Sequence, residues 1–293
     1  MSVTRLNSEC ITCLLGKYLN KVPKNTEENL KITYMQGVLD ILARADKGMS
    51  APEIMAEIVA LQRELFNFKE DFSEIKKYFN SLMLSREPSL EKEIASSNEP
   101  LKSALLYAML GNYIDFGAMD SVDESKLQQF LSDVSEMPLN KKEYSLLLED
   151  LEKAESLVYI TDNCGEVVLD KLFIKQIKRQ YPKLSVEVIV RGEPVLNDAT
   201  IEDAYQVGLD KIVNVVGNGT NIAGTCLTKL PKSIKAKIDD ADVIIAKGQA
   251  NFETLRYSKK NIYYIFMCKC EMFAHRFGVE RLSGMLLNDL RMK

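Results

Sequence analysis

The sequence predicts an α/β protein: a three-layer α/β/α sandwich with a mainly parallel sheet, preceded by an all-helical N-terminal domain. Apolar residues recur at three- and four-residue steps from Asn7 to about Phe130, which is the period of helices that bury one face. Beyond Met137-Pro138, short β-rich runs alternate with longer helical or loop segments, which is typical of βαβ units and a sheet covered on both faces. We therefore predict a helical domain over residues 1–138 and an α/β/α domain over residues 139–293.

The helical region is divided by segments that usually start or stop helices. Lys47–Ser50 is followed by Pro52 just inside the next helix, and two further breaks are predicted at Arg86-Glu87-Pro88 and Asn98-Glu99-Pro100. Between the first breaks, two apolar stripes are predicted, formed by Ile32, Met35, Val38, Leu39 and Leu42 and by Ile54, Ile58, Leu61 and Leu65.

The strands of the second region are predicted from nearly unbroken apolar runs. Such runs, rather than alternating ones, indicate strands buried on both faces. Helical segments such as Val167–Tyr181 would supply the covering layers. The predicted strands are Leu157–Ile160, Val186–Val190, Ile212–Val216, Val243–Ala246 and Ile262–Met267.

Charge and composition exclude several classes of protein. The chain has 38 Lys and Arg against 42 Asp and Glu, mixed along its length, so the basic face of a nucleic-acid-binding protein is not indicated. No run of about 18 apolar residues and no apolar signal sequence is present, so we expect no membrane partner and a cytoplasmic location. Six cysteines are too few for a disulfide scaffold in a chain of this size, which fits a reducing compartment.

Polar residues follow the predicted strands at the places where the strands end. Asp162 and Asn163 follow the first strand, and Asp198 follows the second. Because the carboxyl ends of parallel strands share one edge of the sheet, these side chains are expected to converge there. Two carboxylates and an amide suit a hard divalent cation such as Mg²⁺ or Mn²⁺, although such pairs also serve as helix caps and turns. Further polar residues at this edge are Arg191, Asn197, Lys247, Gln249 and Lys269.

Lys247 and a glycine-rich segment are candidates for binding an anion. A lysine directly after a buried strand and before Gly248 is well placed to meet an anionic oxygen, or it is a surface lysine at the strand exit. The segment Gly217–Thr225, which includes Gly224, is a candidate phosphate cradle without dinucleotide-binding spacing, or an ordinary flexible loop.

Cysteine and histidine residues offer fewer candidate metal ligands than the carboxylates do. Cys10 and Cys13, with Cys268 and Cys270, would make a four-sulfur zinc site if the pairs met, and otherwise they are buried or incidental thiols. The single histidine, His275, is expected to be packed or partly exposed rather than a ligand.

Several motifs together resemble the damage-control phosphatase family, once catalogued as domain of unknown function 89. They are DNCGE, VLNDAT and KGQANFE in that order, with GNYIDFGAM at Gly111–Met119, NIAGT at Asn221–Thr225, the C-terminal CKCEMFAHRFGV and the Cys10-x-x-Cys13 pair of the prokaryotic branch. The similarity covers nearly the whole chain. The resemblance implies a helical N-terminal domain on an α/β/α sandwich and metal-dependent hydrolysis of phosphate esters of small metabolites.

The resemblance also implies roles for individual residues. Asp162, Asn163 and Asp198 would hold the metal, with Mn²⁺, Co²⁺ or Ni²⁺ preferred over Mg²⁺, and Lys247 would contact phosphate. Eukaryotic branches resemble KGDLNYR, so Gln249 here stands for an acid and Glu253 for an arginine. The predicted substrate-binding residues are Asn112, Asp115, Arg191, Gly224, Thr225, Lys247, Gln249, Asn251 and Lys269.

The predicted function is therefore a metal-dependent phosphatase. A divalent ion, Lys247 and loop N–H groups would stabilise charge on phosphoryl oxygens, and Glu166 or Asp162 would orient the attacking water. Asn112 and Asp115 are expected to close over the site from the helical domain, or to cap helices. Two alternatives stay open, an S-adenosylmethionine-dependent carboxyl methyltransferase and a non-catalytic metabolite-binding protein. The sequence does not set the oligomeric state.

Overall fold

The structure, a computed structural model, describes residues 5–67, 70–115 and 123–292. Two compact units are present, Met1–Asp71 and Phe72–Lys293. Among the described residues, no helix has both the length and the apolar character needed to cross a membrane.

The first unit is built from three amphipathic helices, as the periodicity predicts. Its core contains Val38, Ile54 and Ile58 from the predicted stripes, whereas Ile32 and Leu39 are exposed. The predicted break before the third helix is confirmed, because Ser50 and Glu53 form a reciprocal capping box there. The helices are α1 (Ser8–Asn20), α2 (Glu28–Arg44) and α3 (Ala51–Phe66).

The second unit begins with helices that pack into the same core as the sheet. The predicted break at Pro88 is wrong, because Pro88 lies inside one continuous helix. Proline in a helix interior costs about 3 kcal/mol, but neighbouring Glu87 pairs with Lys171 at 2.7 Å and Lys175 at 3.3 Å, and Leu90 is buried in the core. These helices are α4 (Ser73–Ser96), α5 (Pro100–Gly111), α6 (Glu124–Ser132) and α7 (Lys141–Lys153), with a 3-10 turn at Val134–Glu136.

The sheet confirms the predicted fold class. Its described strands are ordered β3-β2-β1-β4-β5-β6, and all neighbouring pairs are parallel except β5 with β6. The five predicted runs agree with the first five strands to within about two residues, whereas the antiparallel edge strand β6 was missed. The strands are β1 (Ser156–Ile160), β2 (Ser185–Val190), β3 (Asn214–Gly217), β4 (Val243–Lys247), β5 (Ile262–Met267) and β6 (Gly284–Asn288).

Helices cover both faces of the sheet. On one face, Tyr159 of β1 donates a hydrogen bond to Asp170 of the helix that follows β1. On the other face, Phe252 packs against Tyr264 and Phe266 of β5 at centroid separations of 5.2 Å. The covering helices are α8 (Glu166–Gln180), α9 (Ile201–Gln206), α10 (Lys232–Asp240), α11 (Gln249–Leu255) and α12 (Glu271–Phe277).

The compact units divide between Asp71 and Phe72, whereas the sequence places a boundary after residue 138. The difference concerns α4, α5, α6 and the 3-10 turn, which share one apolar core with the sheet. Residues Leu101 to Leu110 of α5 are largely buried in that core. Periodicity identifies such helices but does not reveal which partner buries their apolar faces.

Candidate active site

The candidate site lies where the strand order of the sheet reverses. β1 and β4 are parallel neighbours, while the chain continues from β1 to one side and from β4 to the other. Ligands of open α/β sheets bind beyond the carboxyl ends of strands at such a switch point. Asp162 and Asn163 follow β1, Lys247 is the last residue of β4, and Gly248 follows it. The fold therefore brings the first and third sequence motifs together at this edge.

The loops after β1 and β2 are joined by backbone hydrogen bonds. The Ala199 N–H donates to the Asp162 carbonyl at 2.7 Å, and the Cys164 N–H donates to the Asn197 carbonyl at 2.8 Å. Asn163 and Asp198 form an antiparallel bridge. This pairing places the three predicted metal ligands side by side, although they are 35 or more residues apart between the two loops.

The two aspartates share contacts with one guanidinium. Arg191 donates from Nε to Oδ2 of Asp198 at 2.6 Å, and its terminal nitrogen lies 3.6 Å from Oδ1 of Asp162. Oδ2 of Asp162 accepts from the side-chain amides of Asn112 at 3.0 Å and Asn163 at 2.8 Å. Arg191, predicted to bind substrate, thus lies against the two predicted ligand carboxylates.

Burial and nearby negative charge raise the pKa of both carboxylates. Burial, followed by the neighbouring Asp198 and Glu166, raises the pKa of Asp162 well above its ordinary value. Burial raises the pKa of Asp198 to about 6, against the lowering influence of Arg191. Carboxylates placed this closely favour either bound protons or added positive charge.

Lys247 lies beneath the aspartates and is fully buried. Its ammonium donates to the Ala108 carbonyl at 2.7 Å, to Glu166 at 2.7 Å and to Asp170 at 2.6 Å. Burial lowers its pKa, but Asp170 and Glu166 outweigh this effect and the pKa is raised. All three N–H bonds of this ammonium are therefore used within the protein, and the predicted contact with phosphate stays a prediction.

Glu166 connects Lys247 to the predicted ligands. Its Oε1 accepts from Lys247, and its Oε2 accepts from the backbone and side-chain amides of Asn163 at 3.2 and 2.9 Å. Asn112 also donates to Oε2 at 3.0 Å. Both carboxylate oxygens are engaged, so Glu166 supports Asn163. Its predicted role in orienting water stays a prediction.

Asn112 and Asn251 hold the site together. Asn112 follows α5 in the same compact unit as the sheet, and its side-chain oxygen accepts from the Met267 N–H at 3.1 Å. Asn251 donates to the carbonyls of Thr161 at 3.0 Å and Lys247 at 2.6 Å, which ties the end of β1 to the end of β4. Both residues, which were predicted to bind substrate, are buried. Their side chains form hydrogen bonds within the protein.

The predicted phosphate cradle contributes Thr225. Its hydroxyl donates to Asn251 at 2.8 Å and accepts from Arg191 at 3.4 Å. Gly224 has a φ of +88°, and a Cβ there would overlap α11 at Ala250 and Thr254. The glycine therefore permits the close approach that places Thr225 beside Arg191.

The remaining predicted residues form a second group. Lys269 donates from its ammonium to Asp115 at 2.6 Å, and its backbone N–H donates to the side-chain oxygen of Gln249 at 3.1 Å. Gln249 in turn donates to Glu253 at 2.9 Å. Asp115 raises the pKa of both Asp162 and Asp198, so this group acts electrostatically on the aspartates.

Two contributors were missed in the sequence. Asn80 of α4 accepts from the Gly165 N–H at 2.6 Å and donates to Asp203 at 2.9 Å, which fixes the loop after β1. Asp170 pairs with Lys247. A polar residue on a buried helical face was the available signal for Asn80, and the four-residue spacing from Glu166 was the signal for Asp170.

The side chains fit a divalent cation by donor type and charge. In the part of the chain that the structure describes, no three His, Cys, Asp or Glu side chains form an arrangement that would hold a metal ion by themselves. The predicted set instead combines two carboxylates with the Asn163 amide, which are oxygen donors. Among the described residues around it, five carboxylates face three cations that pair with them, and Lys76 acts on Asp198 at longer range. The carboxylates are Asp115, Asp162, Glu166, Asp170 and Asp198, and the cations are Arg191, Lys247 and Lys269.

Comparisons with known proteins identify the family of this chain. The family model described as the damage-control phosphatase ARMT1-like domain matches residues 6–284. This chain belongs to that family. The match spans both compact units and all three motifs at the sheet edge. The resemblance inferred from the motifs is therefore confirmed.

Relatives in the damage-control phosphatase family match over almost their full length. A damage-control phosphatase of Archaeoglobus fulgidus is 32% identical, covering 94% of this chain and 96% of its own. A damage-control phosphatase of Pyrococcus horikoshii is 29% identical, covering 94% of this chain and 96% of its own. A crystal structure of a DUF89 family protein from Pyrococcus horikoshii is similar with a TM-score of 0.80 at 25% identity, covering 97% of this chain and 99% of that one. The family match and the names of these relatives together support phosphatase activity.

Proposed function

We propose that this chain is a metal-dependent phosphatase that hydrolyses phosphate monoesters of small metabolites, such as sugar phosphates or cofactor-related phosphates. The observation that carries the proposal is the convergence of Asp162, Asn163 and Asp198 at the sheet switch point within a network that has more carboxylates than cations. The names of the relatives support the same reaction class.

The cation is assigned to Asp162, Asn163 and Asp198. A divalent ion such as Mn²⁺, Co²⁺, Ni²⁺ or Mg²⁺ would supply Lewis acidity toward a phosphoryl oxygen. The protein contributes the placement of the donors: Asn112 holds Asp162, and Glu166 holds the Asn163 amide. Added positive charge here would also relieve the repulsion that raises the pKa of Asp162.

The phosphate group is assigned to Arg191, Thr225 and Lys269. Arg191 contacts both Asp198 and Thr225, so it borders the ligand carboxylates and the glycine-rich loop. Among the described residues, the Lys269 ammonium has one partner, Asp115, and an ammonium carries three donors. Lys269 therefore retains donors for phosphate oxygens, whereas Lys247 uses all of its donors internally.

Chelation is expected to remove activity. Dialysis against a chelator should lower the turnover of p-nitrophenyl phosphate by at least about 100-fold, because charge developing on the phosphoryl oxygens would lose its main electrostatic partner. Adding back Mn²⁺, Co²⁺, Ni²⁺ or Mg²⁺ separately should restore it and rank the metals. Full activity in metal-analysed, metal-free protein would contradict the proposal. Methyl transfer from S-adenosylmethionine in a parallel assay would favour the methyltransferase alternative instead.

Replacing Lys269 with alanine is expected to weaken substrate binding. Loss of a charge-assisted hydrogen bond of about 1.5–3 kcal/mol corresponds to a rise in KM of roughly 10- to 100-fold. Steady-state kinetics with a phosphate monoester would measure it. Lys260→Ala is the matched control, since Lys260 pairs with Asp239 at 2.9 Å where the chain approaches the amino end of β5. Equal KM values for both variants would remove Lys269 from the phosphate site.

A further inference from the structure

A buried ionic network lies beneath the candidate site and is not explained by metal or phosphate binding. Its members are Tyr159 of β1, Asp170 of α8 and Lys247 of β4, and all three are 0% exposed. The Tyr159 hydroxyl donates to Oδ1 of Asp170 at 2.7 Å, and the Lys247 ammonium donates to the same oxygen at 2.6 Å. Asp170 lies one helical turn after Glu166, so both carboxylates face the same ammonium.

This network holds Lys247 in place. The ammonium lies between Asp170 and Glu166, with the Ala108 carbonyl as its third acceptor. Moving it toward a ligand would leave a buried carboxylate unpaired, which is strongly unfavourable. Lys247 is therefore a fixed charge, and Asp170 is one of the two carboxylates that hold it.

Glu166 transmits this constraint to the candidate site. One of its oxygens accepts from Lys247, and the other accepts from both amides of Asn163. A carboxylate held at both oxygens has one orientation, and that orientation fixes the Asn163 side chain. The chain of contacts runs without interruption from Asp170 through Lys247 and Glu166 to Asn163.

We propose that Asp170 is a positioning residue for hydrolysis: it holds the Lys247 ammonium against Glu166, and Glu166 in turn orients the Asn163 amide. This inference rests on the proposed phosphatase function and adds a residue to it. Asp170 touches neither the predicted metal ligands nor the proposed phosphate-binding residues in the described structure. Its effect is therefore transmitted through Lys247.

The titration of Asp170 gives a readout of this role. Its Oδ2 is buried and has no hydrogen-bond partner among the described residues, which disfavours the charged form. Burial raises the pKa of Asp170 to about 7, against the lowering effect of Lys247. The titratable groups facing Asp170 are Tyr159 from β1, Lys247 from β4 and Glu166 from α8, and α5 contributes the Ala108 carbonyl to Lys247.

The raised pKa has a defined effect on stability. Between the ordinary value of 3.8 and about 7, the folded protein keeps a proton on Asp170 that the unfolded chain releases. The free energy of unfolding contributed by this group therefore falls as pH rises through that range. An asparagine side chain at this position would not titrate, so Asp170→Asn should gain thermal stability relative to the wild type as the pH rises from 3.8 to about 7, the range between the two pKa values.

The test compares Asp170→Asn with the wild type. Asparagine keeps an acceptor for Tyr159 and Lys247 but removes the charge, so kcat for a phosphate monoester should fall roughly 10- to 100-fold, as for partners that support ligand residues. KM should change less than about threefold, because the residues assigned to phosphate are untouched. The kcat–pH profile should also change shape near neutrality, together with the predicted relative gain in melting temperature.

Glu87→Gln is the matched control. Glu87 is also a carboxylate that pairs with a buried lysine of α8, Lys171, at 2.7 Å, but it belongs to α4 and has no contact with Glu166. This variant should lose stability without a change in kcat or its pH profile. A merely structural role for Asp170 would give the same pattern as Glu87→Gln, and that result would overturn the proposal.

A second variant covers the case in which Asp170→Asn does not fold. Tyr159→Phe leaves both charges in place and removes one hydrogen bond to Asp170, so kcat should fall several-fold at unchanged KM. Unchanged kcat in this variant would overturn the proposal. If the wild type lacks metal-dependent turnover, the proposed function itself fails. The melting temperatures still report whether Asp170 titrates against Lys247.

Discussion

Replacing Asp162 with asparagine is expected to abolish metal-dependent turnover, with a loss in kcat/KM well above 100-fold. Supporting partners of metal ligands already cost about 10- to 100-fold when removed, and Asp162 is proposed as a direct ligand. Its carboxylate is placed by Asn112 and Asn163. Asp198→Asn should behave in the same way. Steady-state kinetics across a metal titration would measure both variants.

The Asp162 variant should remain folded. Burial, Asp198 and Glu166 all raise the pKa of Asp162, so an uncharged side chain of the same shape should leave the metal-free protein as stable as the wild type or more stable. Added metal should raise the melting temperature of the wild type by preferential binding to the folded state. It should not do so for Asp162→Asn.

Asp289→Asn is the control for Asp162. Asp289 is also a buried aspartate, and it accepts from the backbone N–H groups of Tyr257 at 2.7 Å and Lys259 at 2.8 Å, which lie away from the sheet switch point. It should lose stability but keep the metal-dependent rate. Near-normal rates and an unchanged metal response in both Asp162→Asn and Asp198→Asn would show that the ligand assignment is wrong.

Gly248→Ala is expected to cause the second large loss. Gly248 has a φ of +81°, and a Cβ at this position would lie less than 3.0 Å from Cγ and both carboxylate oxygens of Asp162. The carboxylate cannot retreat freely, because Asn112 and Asn163 donate to it. A misplacement of about 1 Å at a reacting centre costs roughly 100-fold in rate. We expect a loss of that size in kcat, measured with p-nitrophenyl phosphate.

Gly278→Ala is the control for an alanine at positive φ. Gly278 has φ +65° and ψ 37°, and no described atom lies within 4 Å of the added Cβ, so this variant pays the left-handed penalty of about 1–2 kcal/mol. Gly248 has ψ 155°, a region that essentially only glycine adopts, so Gly248→Ala combines a backbone cost of about 1–3 kcal/mol with the contact at Asp162. Equal activity in the two variants would mean that Asp162 does not need its present position for turnover.

The five parallel strands were predictable because strands buried on both faces leave unbroken apolar runs, as in Val243–Ala246. β6 (Gly284–Asn288) was missed because it is an edge strand with partly buried residues and follows β5 through a short helix. Pro88 was predicted to end a helix because a local rule does not register the ion pairs between Glu87 and α8.

Lys247 is a second example. Its position after a buried strand predicted either a contact with an anionic ligand oxygen or a surface lysine, whereas the structure buries it and pairs it with Glu166 and Asp170. Asp170 is separated from Lys247 by 77 residues, so no spacing rule links them. The partner of a buried charge depends on which helix covers which strand, and local sequence does not encode that.

The amino-acid sequence by itself determined the element types, the strand edge at which polar residues gather and the family, because local periodicity and ordered motifs are properties of the chain. Only the tertiary structure decided that β1 lies beside β4, that Asp162 and Asp198 share Arg191, and that Lys247 faces inward. These outcomes depend on contacts between distant segments, where packing and charge pairing across the fold select one arrangement.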